Sequence, residues 1–303
     1  MSGAEHHFMV TPGGVRLHYL TEGSGKPVVM LHGFPETHRS WDLQRPALIA
    51  AGFRCVCVDL RGYGRSDRPA TGYDLETLAA DIASLIRHLD AGPVCVVGHD
   101  WGGAVTWELA SNHPECVERA AILDCPHPAL MSRALRHNPR QLRRSWYMFF
   151  FQLPLLPERW LTRRRGQNLM RMFRDAPPLP ALSPLVEAER DALLEPGAIK
   201  SALAFYRTAF RENAPELLRG GSGKSYPQLA CPVALVWGAL DSCLGTELIH
   251  GTSRYAPRLR VHVLEDAGHF VHQEQPEAVN ALLRAFLAAD LLTLVDDAGV
   301  MEP

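Results

Sequence analysis

Apolar positions along the chain form short continuous runs, separated by segments of helical period. Pro27-Val28-Val29-Met30-Leu31 ends at His32-Gly33, and Phe53 to Leu60 leads into the turn Arg61-Gly62-Tyr63-Gly64-Arg65-Ser66. Pro93 to Val97 and Ala120 to Leu123 are two more such runs. Runs of about four to eight apolar residues suit strands buried on both faces. Between them, Leu78, Ile82, Leu85, Ile86 and Leu89 share one face of a helix predicted from Leu75 to Leu89. Trp101 to Asn112 reads as a second helix, stopped near Pro114. Strands alternating with helices predict the α/β class, with a mostly parallel sheet flanked by helices.

After Pro128 the pattern changes. Residues 129–222 are rich in arginine and aromatics and show only helical periodicity. Strand-like runs return at Pro232 to Trp237 and Arg260 to Leu264, and Ala278 to Ala289 reads as a closing helix. The expected organisation is a core of residues 1–128 and 223–303, interrupted by a helical cap at 129–222. Arg219-Gly220-Gly221-Ser222-Gly223 reads as a flexible hinge, and Asp290 to Pro303 as a poorly ordered terminus.

Charge and composition narrow the functional classes. Thirty-one Lys and Arg against 33 Asp and Glu leave a net charge of −2, so no global field favours nucleic acid or a membrane surface. Arg133 to Arg144 and Arg163-Arg164-Arg165 are basic, but they carry no binding motif and read as solvated helix faces. The most apolar stretch, Trp146 to Leu156, is interrupted by Gln152 and Pro154 and is shorter than the roughly 20 residues of a membrane span. The opening residues lack the pattern of a signal peptide, and His6 and His7 read as a solvated terminus. Seven cysteines without CxxC spacing predict reduced thiols and a cytoplasmic protein, with no disulfide framework and no zinc site.

Gly98-His99-Asp100-Trp101-Gly102-Gly103 joins an apolar strand to a helix through Gly-x-Asp-x-Gly, the pattern of a nucleophile elbow with aspartate in the usual serine position. A helix N-terminus favours an ionised carboxylate there. A carboxylate can displace a leaving group from saturated carbon and leave an ester that water can hydrolyse. A serine would form a stable ether. Aspartate at an elbow therefore points to epoxide opening or carbon–halogen cleavage. A helix-capping aspartate is the plainer reading of the residue alone.

The chain order nucleophile, acid, histidine is met by Asp100, Asp241 and His269, the last two in loops after strand-like runs. Asp266 is a second candidate for the acid. The base would activate water for ester hydrolysis, with the acid fixing its tautomer. His269 and His272 are spaced as a metal pair could be, but no third ligand accompanies them, so no metal is expected. His99 reads as a hydrogen-bonded structural residue. Trp101, after the nucleophile, and Phe34, in His32-Gly33-Phe34-Pro35, would supply oxyanion-hole amides.

Together these motifs, with Gly62-Tyr63-Gly64-Arg65-Ser66 and Ala267-Gly268-His269, resemble the α/β-hydrolase fold and, within it, the soluble epoxide hydrolases with an aspartate nucleophile. The resemblance covers nearly the whole chain. It implies two cap tyrosines that protonate the epoxide oxygen, matched by Tyr147 in Trp146-Tyr147-Met148-Phe149-Phe150-Phe151-Gln152 and Tyr206 in Ala204-Phe205-Tyr206-Arg207. The second match departs from the family pattern at Ala204-Phe205. Independently, Ile199, Ala202, Leu203, Tyr206, Ala209 and Phe210 share one helix face, so Tyr206 should point inward. Conversion of an apolar epoxide to a vicinal diol, without a cofactor, is the expected activity. The alternatives are a haloalkane or haloacid dehalogenase, fluoroacetate dehalogenases included, and a non-catalytic hydrolase-like binding protein. Position 34 is Phe where haloalkane dehalogenases usually carry Asn, and no arginine flanks Asp100 as in fluoroacetate dehalogenases. Expected partners are a small apolar epoxide and water, not nucleic acid. Peripheral membrane contact and a homodimer are open.

Overall fold

The computed structural model describes residues 3–172, 183–219 and 224–289. Eight strands form one sheet: β1 (Glu5–Val10), β2 (Arg16–Gly23), β3 (Lys26–Leu31), β4 (Phe53–Asp59), β5 (Val94–His99), β6 (Val117–Leu123), β7 (Val233–Gly238) and β8 (Leu259–Leu264). Their spatial order is β1-β2-β4-β3-β5-β6-β7-β8. β2 runs antiparallel to both β1 and β4, and all remaining neighbours are parallel.

The apolar runs are continuous because both sheet faces are covered. Val29 and Leu31 join a core with residues of α2 (Leu75–His88) and α3 (Trp101–Asn112). Val28 and Met30 face the other way, into a core shared with α1 (Arg45–Ala50) and α11 (Pro276–Ala288). Asp74 starts α2 by accepting the Thr77 amide at 2.8 Å, and Arg87 and His88 occupy its last turn, complementing the helix dipole. Leu78, Ile82, Leu85 and Ile86 form its buried face.

Between β6 and β7 lie α4 (Pro128–His137), α5 (Pro139–Arg144), α6 (Trp146–Phe150), α7 (Leu156–Met172), α8 (Ser183–Leu194) and α9 (Ala198–Arg219). α10 (Val271–Glu274) precedes α11. Of the expected hinge, residues 220–223 lie outside the described residues, as does the tail from Asp290 to Pro303.

Two readings need correction. His6 is exposed and His7 half-exposed, as a solvated terminus would be, but both belong to β1 rather than to a free end: His6 Nδ1 lies 2.8 Å from His18 Nε2, and His7 Nε2 2.9 Å from Thr21 Oγ1. Arg163-Arg164-Arg165 is exposed but is not a helix face. The chain leaves helical geometry there, with φ of 52° at Arg164 and 54° at Arg165, and α7 is kinked. Among the described residues no helix is long and apolar enough to cross a membrane. None of the seven cysteines is joined in a disulfide, and burial pushes Cys55 and Cys95 up to about 12.

Candidate active site

β5 ends at His99, α3 begins at Trp101, and Asp100 alone makes the turn, with φ 46° and ψ −116°. A non-glycine residue at such angles is strained and persists only where its surroundings hold it. The elbow is tight enough to exclude side chains. A Cβ on Gly102 would sit 2.1 Å from the Leu31 carbonyl oxygen, and one on Gly33 would sit 2.4 Å from Asp100 Cβ. This close approach lets the Phe34 amide donate to Asp100 Oδ1 at 2.8 Å.

The other carboxylate oxygen, Oδ2, lies 3.6 Å from His269 Nε2. His269 Nδ1 is 2.8 Å from Asp241 Oδ2. Asp241 is fixed in turn: its Oδ1 accepts the Cys243 and Leu244 amides at 2.7 and 2.8 Å. Asp100, His269 and Asp241 are thus brought together in the expected order. Asp266 is exposed and has no side-chain contact with His269 among those described. Burial alone would lower the His269 pKa. The Asp241 charge, with hydrogen bonding to Asp100 and Asp241, outweighs it and holds the imidazole well above its usual value.

Beneath the triad is a buried brace. His99 Nδ1 is 2.7 Å from Glu36 Oε2, and its Nε2 is 2.8 Å from the His269 carbonyl oxygen. Both neighbours are acceptors, so both ring nitrogens must donate and His99 is an imidazolium. Its pKa is raised accordingly: burial opposes the charge, and Glu36 overcomes it. Glu36 also accepts the Gly33 amide at 3.1 Å and Gln273 Nε2 at 2.5 Å. The ion pair therefore ties the Phe34 loop to the backbone of His269. His99 is the hydrogen-bonded structural residue expected. His272 Nε2 lies 3.2 Å from Glu36 Oε1, away from any pairing with His269 as a metal ligand, and burial lowers its pKa to about 4. Glu36, His99 and His272 are close enough to hold an ion, but the His99 nitrogens are already engaged.

Asp124, directly after β6, was not singled out from the sequence. Its Oδ1 accepts the Gly238 amide at 2.7 Å, while Oδ2 is buried without a partner. Burial and the neighbouring Asp241 push its pKa well above the usual carboxylate value. Its position at the end of an apolar run was the available signal.

Tyr147 on α6 and Tyr206 on α9 line two cavities of about 450 and 460 Å³ that meet at Asp100. Their rings are T-shaped, with centroids 6.0 Å apart. Tyr206 is 4% exposed, and Ile199, Ala202 and Leu203 on its helix face are buried as expected. Phe205, the departure from the family pattern, is fully buried and packs against Tyr63, Tyr73 and Trp101. Arg207 joins the two tyrosine-bearing segments. It donates to the Phe151 and Leu153 carbonyls, each at 2.9 Å, and pairs with Glu158 at 2.7 Å. Both phenols have pKa values pushed well above the usual one. Burial is the largest cause for each, joined by Cys243 and Asp100 at Tyr147 and by Asp100 at Tyr206. A contact from the Trp101 indole offsets part of the rise at Tyr206.

Residues 28–282 match the model of the alpha/beta hydrolase family. The chain belongs to the alpha/beta hydrolase family. This hydrolase is 35% identical over 294 residues to the AB hydrolase superfamily protein YfhM of Bacillus subtilis, covering 95% of this chain and 99% of the relative. It is 32% identical to epoxide hydrolase 3 of Xenopus tropicalis, covering 96% of this chain and 79% of that one. Among solved structures, a point variant of an epoxide hydrolase from Bacillus megaterium superposes with a TM-score of 0.83 at 30% identity, covering 93% of this chain and all of that chain. Another variant of that enzyme is bound to its product, a naphthyloxy-propane-1,2-diol. Within the family, the hydrolase stands with the epoxide hydrolases.

Proposed function

We propose that the chain hydrolyses an apolar epoxide to a vicinal diol through a covalent ester on Asp100, with residues 129–222 as a cap over the site. The observation that carries this reading is the placement of Asp100. One carboxylate oxygen is held by the Phe34 amide and the other lies toward His269, in cavities walled by two tyrosines. Oδ2, the oxygen not held by the Phe34 amide, attacks a ring carbon, breaking its bond to the epoxide oxygen. The departing alkoxide takes a proton from Tyr147 or Tyr206. Their raised pKa values keep both phenols protonated until that moment.

Ester formation also changes the base. While Asp100 is ionised, its hydrogen bond helps keep His269 charged. Alkylation removes that anion, the imidazole pKa falls, and His269 passes its proton through solvent to the tyrosinate; the neutral ring, oriented by Asp241, then takes a proton from water. The hydroxide attacks the ester carbonyl. The amides of Phe34 and Trp101 hold the oxyanion until the ester bond breaks; the leaving alkoxide takes the proton from His269, the acid proton left on Asp100 passes to His269, and the diol departs from an ionised Asp100.

A dehalogenase would use the Trp101 indole to hold halide. Here that indole and the Tyr206 ring form a T-shaped pair, with centroids 5.1 Å apart, which favours the epoxide reading. The complete triad disfavours a non-catalytic binding protein. The test is the double variant Tyr147→Phe, Tyr206→Phe with an aryl epoxide under single-turnover conditions. A positioned general acid contributes about 10² to 10⁴ in rate, so ester formation should slow by at least that much. An undiminished rate in the folded variant contradicts the assignment.

We further propose a cytoplasmic protein, supported by seven cysteines none of which is joined in a disulfide. Contact with anionic membranes is supported by exposed Trp146, Phe149, Leu153, Leu155 and Leu156, beside exposed Arg140 and Arg143. A homodimer is the second reading of this surface.

A further inference from the structure

We propose that His6, His18 and His38, backed by Asp59, form a binding site for a first-row divalent cation, zinc by preference, apart from the hydrolase centre. Strand pairing assembles it. In the β1–β2 register Phe8 faces His18, so His6, two residues along β1, lies on the same sheet face and diagonal to His18. In the β2–β4 register His18 lies directly opposite Asp59. His38 comes from the single-turn 3₁₀ helix His38–Trp41. None of the four residues lines either cavity at Asp100.

The hydrogen bonds set the tautomers. Asp59 Oδ2 is 2.6 Å from His18 Nδ1, and Asp59 Oδ1 is 2.9 Å from His38 Nδ1. An ionised carboxylate only accepts, so both Nδ1 atoms carry protons. The neutral form of each ring then has its lone pair on Nε2, facing away from Asp59. One carboxylate orienting two imidazoles in this way is the outer-shell arrangement that metal-ligating histidines require. His18 Nε2 meets His6 Nδ1 at 2.8 Å, a contact in which two ring nitrogens share one proton and a cation can replace it.

The spacing fits a tetrahedral ion. With zinc–nitrogen bonds of about 2.0–2.1 Å and a ring centre roughly 1.1 Å farther, tetrahedral geometry puts imidazole centroids about 5 Å apart. The observed separations are 5.0 Å for His6–His18, 5.0 Å for His18–His38 and 5.8 Å for His6–His38. The His6–His18 nitrogens would part from 2.8 Å to about 3.3 Å, the span of two zinc-bound nitrogens, and the His6 ring would swing toward His38, which already clusters with His18 and Asp59. His6 is exposed on the edge strand of the sheet and has room to move. Three imidazoles without a thiolate select zinc, nickel or copper over magnesium or calcium, and water would fill the fourth position. The ion would fasten β1 to the 3₁₀ turn and raise stability in proportion to ln(1 + [metal]/Kd).

The test is titration of the metal-free full chain with Zn²⁺ by calorimetry, alongside Co²⁺ uptake followed by visible absorption. One equivalent should bind, and the cobalt form should show the intense visible bands of a tetrahedral site. His6→Ala and His38→Ala should each weaken binding at least about tenfold. His6→Ala should keep the unfolding midpoint of the metal-free protein and full hydrolase turnover; His38→Ala, which takes a partner from the buried Asp59, should lower that midpoint while the folded protein keeps its turnover, and His7→Ala should bind like the wild type. A loss below tenfold in either His6→Ala or His38→Ala, or no saturable uptake by the folded wild type, overturns the proposal. The cobalt spectrum reads the site in the unaltered chain, so the test does not depend on the variants folding.

Discussion

His127 shows how a single buried side chain ties stability to pH. It is fully buried, its ring stacks on Tyr255 with centroids 3.8 Å apart, and its Nδ1 caps α4 by accepting the Ala129 amide at 3.2 Å. Its Nε2 is buried without a partner, and burial lowers its pKa to about 3. In the unfolded chain it titrates near 6.5. Between those values the unfolded state binds a proton that the folded state refuses. The stabilisation is therefore complete above about pH 6.5 and falls with pH by about 1.4 kcal/mol per unit. Replacing His127 with Phe keeps an aromatic ring and removes the titration. Between pH 6.5 and 5, urea unfolding should show the wild type losing about 2 kcal/mol more than the variant. Parallel pH curves would contradict this. At the same scale, Asp100, Asp241 and His269 were legible because each follows a recognisable strand within a short motif. Glu36 and Asp124 were not, because their roles come from partners on other elements.

Elements were legible where their pattern was long or fully apolar. β3 to β8, α2, α3 and α11 stand within a few residues of their predicted positions. β1 and β2 escaped because their patterning is weak. β1 buries only Met9, and β2 buries His18 among apolar residues because Asp59 satisfies it. α1 is six residues long and buries only Leu48. The exposed apolar residues of α6 and the turn into α7 carry the membrane prediction. The full chain should sediment with phosphatidylserine-containing vesicles at low salt and be released as salt rises. Trp146→Ser with Leu155→Ser should weaken the association several-fold. No sedimentation, or association indifferent to both changes, would rule out this surface and leave dimerisation as its remaining reading.

Across the whole molecule, the parallel sheet sets Asp100, Asp241 and His269, the proposed nucleophile, acid and base, after β5, β7 and β8. The helices between β6 and β7 bring two phenols over them. The α/β class and the helical interruption followed from the order of apolar runs, whereas the buried ionic brace under the triad required the fold. The central claim is the covalent ester on Asp100, and intact mass measurement of His269→Gln after incubation with an aryl epoxide tests it most directly. Without its base the variant can alkylate Asp100 but cannot hydrolyse the ester. It should gain one substrate mass, mapped by peptide digestion to the segment containing Asp100. An unchanged mass in a folded variant, with a wild type that turns over the same epoxide, would contradict the account and point to direct attack by water.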